Sequence, residues 1–189
     1  GIQAAGVCPL NIDADGIDIL AAAGFKWLFG MPGTGFLYVN RRAQDLIQPV
    51  MPGMFAADNN HTRDLLYFPD ARRYETGTIA YSHFHSWTAG LELLKELGIA
   101  NIHARVLHLT DYLIAGLRAR NIKITSPVEH IAERSAILSL TIGSPQENQA
   151  LYEKLFAQDI IVAPRDGRIR VSPNFFNTEA EIDRLLQAL

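Results

Sequence analysis

Lys26 stands in the stretch Gly24-Phe25-Lys26-Trp27-Leu28-Phe29-Gly30-Met31-Pro32-Gly33-Thr34-Gly35, between two short apolar runs. An amine placed there is held by backbone on both sides, and a neutral lysine amine is a nucleophile toward a carbonyl carbon. Residue type and position alone leave a second reading open, that of an ordinary solvated loop lysine. The glycines do not form a nucleotide loop. A P-loop closes on Gly-Lys-Ser/Thr, and the dinucleotide fingerprint orders its glycines differently.

Other candidates are fewer. Arg170 offers a planar fork that suits a bidentate carboxylate contact, with Arg168 two residues away as its competitor on the same strand face. The plain alternative for both is a solvated edge strand. Gly77 and Thr78 precede a helical stretch, where free N–H groups and the helix dipole suit an anion; Thr78 is otherwise an N-cap. His83 and His85 lie two apart on that helix and point to different faces, so no metal is expected there. Cys8, the one cysteine of the chain, reads as a small buried residue.

These residues need elements to place them. Residues 17–22 and 36–39 read as buried strands around the lysine loop. Residues 46–73 are rich in Pro, Gly, Asn and Asp, including Pro52, Asn59 and Asn60, and read as a surface excursion. Residues 80–97 read as a helix with Trp87, Leu91 and Leu94 on one face, ended by Gly98. A second helix carries Val106, Leu109, Leu113 and Leu117, with Asn101 as its N-cap. A strand over 136–142 precedes a helix opened by the capping box Ser144/Glu147 with Pro145 at its first position. Strands at 160–163 and 168–172 flank an Asp166-Gly167 turn, and a last helix opens on Thr178/Glu181 with Ile182, Leu185 and Leu189 on one face. The second half is thus an α/β unit, and Gly98 is the expected boundary between domains 1–97 and 98–189.

With 189 residues, 48% hydrophobic and 20% charged, the chain can bury a core. A net charge of −3 lacks the cationic clusters that nucleic acid requires, so no nucleic-acid partner is expected. A lone cysteine excludes an intrachain disulfide and suits a reducing compartment, the cytoplasm. No run approaches the length of a membrane span, and no membrane partner is expected. The opening Gly1-Ile2-Gln3, with no initiator Met, reads as the middle of a longer chain.

The lysine segment resembles the signature of the class V aminotransferases and their relatives, among them cysteine desulfurases, isopenicillin N epimerase-like proteins and kynureninase. Gly1-Ile2-Gln3 is similar to the tail of the family's Asp-x-x-Gln motif, its aspartate falling just before Gly1. Arg73-Tyr74-Glu75-Thr76-Gly77-Thr78 resembles Arg-Phe-Glu-x-Gly-Thr. Arg170-Val171-Ser172 followed by Phe176-Asn177-Thr178 and Glu181 resembles the family's closing segment. The matches run in order along essentially the whole chain. The resemblance implies pyridoxal phosphate as cofactor, bound by Lys26 as a Schiff base, with Lys26 afterwards carrying the substrate α-proton. It implies that Gln3 bonds the cofactor's phenolic oxygen and that Phe25 contacts its ring. Gly77 and Thr78 would reach the phosphate of the neighbouring subunit of a homodimer, and Arg170 would grip the carboxylate of an amino-acid substrate. It implies an α/β, aspartate-aminotransferase-like (fold type I) enzyme, with 1–97 the C-terminal part of the large cofactor-binding domain and 98–189 the small C-terminal domain.

The sequence departs from the desulfurase pattern. Many desulfurases write the lysine site as Ser-x-His-Lys; here Ala23 and Phe25 take the serine and histidine positions. No cysteine lies within 160–170 to accept sulfur, and Asn174 and Phe176 stand where relatives often have His and Tyr. Transamination, or racemisation/epimerisation, is the leading expectation. A carbon–sulfur or carbon–selenium lyase is the alternative, and the third is an inactive fragment that binds no cofactor.

Overall fold

The computed structural model describes residues 1–51, 53–58 and 66–189. Pro52, Asn59 and Asn60, part of the expected surface excursion, lie outside the described residues. The chain divides into two compact units, Gly1–Ile99 and Ala100–Leu189. None of the described helices is long and apolar enough to cross a membrane.

In the first unit, β1 (Ile19–Ala23) and β2 (Gly35–Val39) pair antiparallel, with Ile19 opposite Val39 and Ala23 opposite Gly35. The lysine loop, residues 24–34, therefore leaves and re-enters one two-stranded ribbon. These strands are not buried as the apolar runs suggested. Ile19 and Leu37 are each 46% exposed, while Ala22 and Val39 are covered, because two strands alone cannot shield both faces. Helix α1 (Arg41–Leu46) is capped by Asn40, whose side chain accepts from the Ala43 N–H. After the short pair β3 (Ala57–Asp58) and β4 (Leu66–Tyr67) comes a 3₁₀ turn, Ala71–Tyr74. Helix α2 (Tyr81–Leu97) stops at Gly98, whose φ of 79° a side chain would resist. Trp87 and Leu94 are buried as expected, but Leu91 is 41% exposed.

Helix α3 (Ile99–Ala119) follows with no break other than Gly98. Asn101 lies inside its first turn and is not its N-cap. The stripe of Val106, Leu109, Leu113 and Leu117 is fully buried. The second unit continues with β5 (Lys123–Ile124), β6 (Leu138–Thr141), α4 (Pro145–Phe156), β7 (Ala163–Arg165), β8 (Arg168–Val171) and α5 (Glu179–Ala188). Both expected capping boxes form, Ser144 with Glu147 and Thr178 with Glu181. The four strands make one antiparallel sheet ordered β5-β6-β8-β7. One face of it, with Leu138, Leu140, Ile169 and Val171, joins Leu109, Leu113, Leu151, Leu155, Ile182 and Leu185 in a single core. All three helices thus pack on one face, and alternation along each strand puts the residues between on the other.

Asp166 and Gly167 both take positive φ, 49° and 70°, the conformation of a two-residue hairpin turn. The first strand of that hairpin starts at Ala163 and not at residue 160. The Asn148 side chain, buried inside α4, braces the same turn. It accepts from the Ile142 N–H at 3.0 Å and donates to the Gly167 and Thr141 oxygens at 2.8 Å each.

Candidate functional site

The lysine loop is closed by its own backbone. The Gly24 N–H donates to the Thr34 carbonyl at 2.8 Å, the Gly30 N–H to the Gly24 carbonyl at 2.7 Å, and the Phe29 N–H to the Lys26 carbonyl at 3.2 Å. Thr34, itself buried, donates its hydroxyl to the Met31 carbonyl at 2.6 Å. Trp27 and Leu28 turn inward, while Phe25 and Lys26 on the preceding positions are exposed. The loop thus buries one dipeptide as an anchor and presents the other.

Helix α2 holds this loop from beneath. The Trp87 indole N–H donates to the Leu28 carbonyl at 2.8 Å in a buried bond. Its ring lies so close to the loop that a Cβ on Gly24 would sit 2.9 Å from it and one on Gly30 3.0 Å. Glycine is required at both positions by that approach.

Beside the loop lies an open cleft of about 1200 Å³, all of it in the first unit. Phe25, 50% exposed, lines it together with Ile2, Ala23 and Thr34. The other wall is the segment from Asp70 to Ala80, Gly77 and Thr78 included. That wall ends at the N-terminus of α2, where Ala80 supplies no side-chain cap and the Tyr81 and His83 amides donate to the Ile79 and Ala80 carbonyls at 3.0 and 2.9 Å. Space is open around Gly77, where a Cβ would meet nothing within 4 Å.

The wall is positioned by residues the sequence reading passed over or read only as motif letters. Arg73 donates to the Phe68 carbonyl at 2.9 Å and the Gln44 carbonyl at 3.3 Å; the Tyr74 hydroxyl donates to the Ile47 carbonyl at 2.9 Å. These two side chains tie the segment before Gly77 to the C-terminal end of α1. Asp70 caps the 3₁₀ turn and pairs with Arg72 at 2.8 Å, and the Arg72 guanidinium holds its carboxyl down to about 2. Arg72 also stacks 4.2 Å above the Phe68 ring.

The structure therefore brings Phe25, Gly77 and Thr78 to one cleft. Lys26 and Gln3 are both exposed, each next in sequence to a residue that lines it, Phe25 and Ile2. Cys8 lies elsewhere, in a separate apolar hollow lined by Leu20, Leu28 and Leu94, where burial pushes its thiol pKa up. Among the described residues no group of three or more His, Cys, Asp or Glu is arranged to hold a metal.

Arg170 belongs to the second unit. It sits on β8 opposite Ser139 and Ala163, on the face away from the core, with Arg168 on the same face. Because β7 pairs outside it, β8 is an interior strand and not an edge, although Arg168 itself is exposed. Arg170 is half-buried, and its Nε is fully covered with no hydrogen-bond partner, an uncommon state for a cationic donor.

Comparison with known proteins agrees with the architecture. The chain is 29% identical over 180 residues to the uncharacterized aminotransferase YcbU of Bacillus subtilis, covering 95% of this chain and 47% of that protein. It is 27% identical to the isopenicillin N epimerase of Streptomyces clavuligerus, covering 100% of this chain and 50% of that one. The solved complex of the cystine C–S lyase C-DES with cysteine persulfide superposes with a TM-score of 0.87 at 25% identity, covering 98% of this chain and 49% of that chain. The apo cysteine desulfurase of Thermococcus onnurineus NA1 superposes with a TM-score of 0.86 at 20% identity, over 99% and 50%. The chain spans about half the length of the relatives it matches, and its fold is that of their fold type I C-terminal part. Residues 1–185 match the Aminotransferase class-V family; the chain belongs to the class V aminotransferases.

Proposed function

We propose that this chain is the C-terminal part of a homodimeric pyridoxal-phosphate enzyme that acts on an amino acid, with Lys26 as the residue that carries the cofactor. The observation that carries this reading is the lysine loop itself: a presented Phe25-Lys26 pair on a backbone fixed by Thr34 and Trp87, beside an open cleft.

The residues fit the cofactor. An exposed aromatic face at Phe25 suits a flat heteroaromatic ring, and the exposed Gly77 backbone with the Thr78 hydroxyl, just before α2, suits a phosphate other than that of the cofactor at Lys26. The exposed Gly77–Thr78 segment is offered to the phosphate of the neighbouring copy, which makes the homodimer part of the proposal. Gln3 would donate to the phenolic oxygen. Pyridoxal phosphate supplies an electrophilic aldehyde and an electron-withdrawing ring. Lys26 would contribute the amine that holds the aldehyde and would then carry the proton at the substrate α-carbon. Arg170, its Nε buried and unpaired, takes the substrate carboxylate. In this reading 1–97 closes the large cofactor domain and 98–189 is the small domain.

Transaminase-like chemistry leads. A carbon–sulfur lyase is the second reading, favoured by the similarity to the cystine C–S lyase. Persulfide transfer onto this chain is disfavoured: its one thiol, Cys8, is pushed away from the reactive thiolate by burial and lies outside the Phe25 cleft.

The test is to incubate the protein with pyridoxal phosphate, reduce with borohydride and map the modified peptide by mass spectrometry. Modification on Lys26, absent in Lys26→Ala, is expected. Modification spread over surface lysines, or unchanged in Lys26→Ala, overturns the assignment. Keto acid against sulfide as product then separates the two chemistries.

A further inference from the structure

The register of the second unit's sheet places three arginines together. Arg165 of β7 lies directly opposite Arg168 of β8, and Arg170 follows two residues along the same face. Lys123 shares that face, through its pairing with Thr141 and the pairing of Ser139 with Arg170. No Asp or Glu occurs in any strand of the sheet. None of the ion pairs among the described residues involves Arg165, Arg168, Arg170 or Lys123, and Asp166 in the intervening turn joins no ion pair either.

Like charges directly opposite on neighbouring strands oppose folding. Arg165 and Arg168 are both exposed, so water screens that pair; the unmet demand on β8 is the buried Arg170 Nε with no acceptor, and the neighbouring exposed cations have no carboxylate in the sheet to pair with. Alternate residues on a strand face are about 6.5 Å apart. The two carboxyl carbons of an extended five-carbon dicarboxylate are about 5 Å apart, a difference that flexible arginine side chains absorb.

We propose that the substrate is a dicarboxylic amino acid, with Arg170 on the α-carboxylate and Arg168, supported by Arg165, on the second carboxylate. This rests on the reading of Arg170 given above and extends it to substrate class. A monocarboxylic substrate engages Arg170 alone; a dicarboxylic one also reaches the exposed cationic pair of Arg165 and Arg168.

The test uses the ¹⁵N-labelled chain and the arginine Nε–H signals, titrated with glutarate and separately with butyrate at constant ionic strength. Glutarate is expected to shift the Arg168 and Arg170 signals and to bind about tenfold or more tightly than butyrate, the worth of one added charge-assisted contact. Arg168→Gln is expected to bring glutarate down to the butyrate level and leave butyrate binding unchanged. Because this variant removes a like-charge pair it melts no lower than the parent, so lost binding is not lost folding. Equal affinity for the two acids, or a preference that survives Arg168→Gln, overturns the proposal. If neither acid moves the Arg170 signal while borohydride still fixes the cofactor on Lys26, the dicarboxylate assignment fails and the cofactor reading stands.

Discussion

Replacing Trp87 by Phe is the most direct test of how the lysine loop is built. Phenylalanine keeps most of the ring that covers Gly24 and Gly30 but deletes the N–H that donates to the Leu28 carbonyl at 2.8 Å. That bond is buried, so its loss strands a carbonyl away from water, at a cost of about 1–3 kcal/mol. The loop is closed by the amides of Gly24 and Gly30, bonded at 2.8 and 2.7 Å, and these report on it directly. If the penalty falls on loop closure, native-state hydrogen exchange at those two amides should accelerate roughly 5- to 150-fold, at a factor of ten per 1.4 kcal/mol. Amides of β6 and β8, in the other unit, should keep their parental rates. Reduction onto Lys26 should slow in parallel, since the amine is presented by the same backbone. Unchanged exchange at Gly24 and Gly30, or acceleration spread equally over both units, would show that Trp87 is only a core residue and that the loop is held by something else.

Two further outcomes concern the second unit. Glu179 at the start of α5 accepts from Arg105 at 2.5 Å and faces His108 at 2.8 Å, and Arg105 first, then the helix backbone, hold its carboxyl down to about 2 from an ordinary value near 4.5. A carboxyl depressed in the folded state stabilises above its unfolded pKa and loses that contribution as pH falls. Thermal melting followed by helical circular dichroism should therefore steepen downward between about pH 4.5 and 2, and Glu179→Gln should flatten that window; equal slopes would refute the assignment. Asn148→Leu should destabilise the unit by about 1–3 kcal/mol for each group it leaves unpaired, the Ile142 N–H and the Gly167 carbonyl among them. Urea denaturation measures this, and a change below about 0.5 kcal/mol would mean that the β7–β8 turn does not depend on that brace.

Much of the element order is legible in the residues because its signals are local. Both capping boxes, the α3 stripe and the Asp166-Gly167 turn form as read, since each depends on side chains and backbone within a few residues of one another. Other readings shift, chiefly where distant residues decide. Asn101 has the residue type of a cap, but Gly98 resets the backbone one residue before α3, so the helix begins at Ile99 and the asparagine is left within its first turn. The runs around the lysine loop are apolar enough for buried strands, yet pairing in a two-stranded ribbon leaves Ile19 and Leu37 exposed. The plain alternative for Arg168 and Arg170, a solvated edge strand, loses its edge when the order β6-β8-β7 puts their strand in the interior.

The sequence by itself determined the family resemblance, the lysine, and the helices that cap themselves, because motif order and capping chemistry are written in neighbouring residues. It did not contain the bond from Trp87 to Leu28, 59 positions apart, nor the ties from Arg73 and Tyr74 to the end of α1. It also did not contain the opposition of Arg165 and Arg168. Those depend on which helix packs under which loop and on strand register, and a register offset of one residue would move every side chain of a strand to the other face. Only the tertiary structure decides that, since register and packing are set by burial of a whole face at once and not by any residue's local preference.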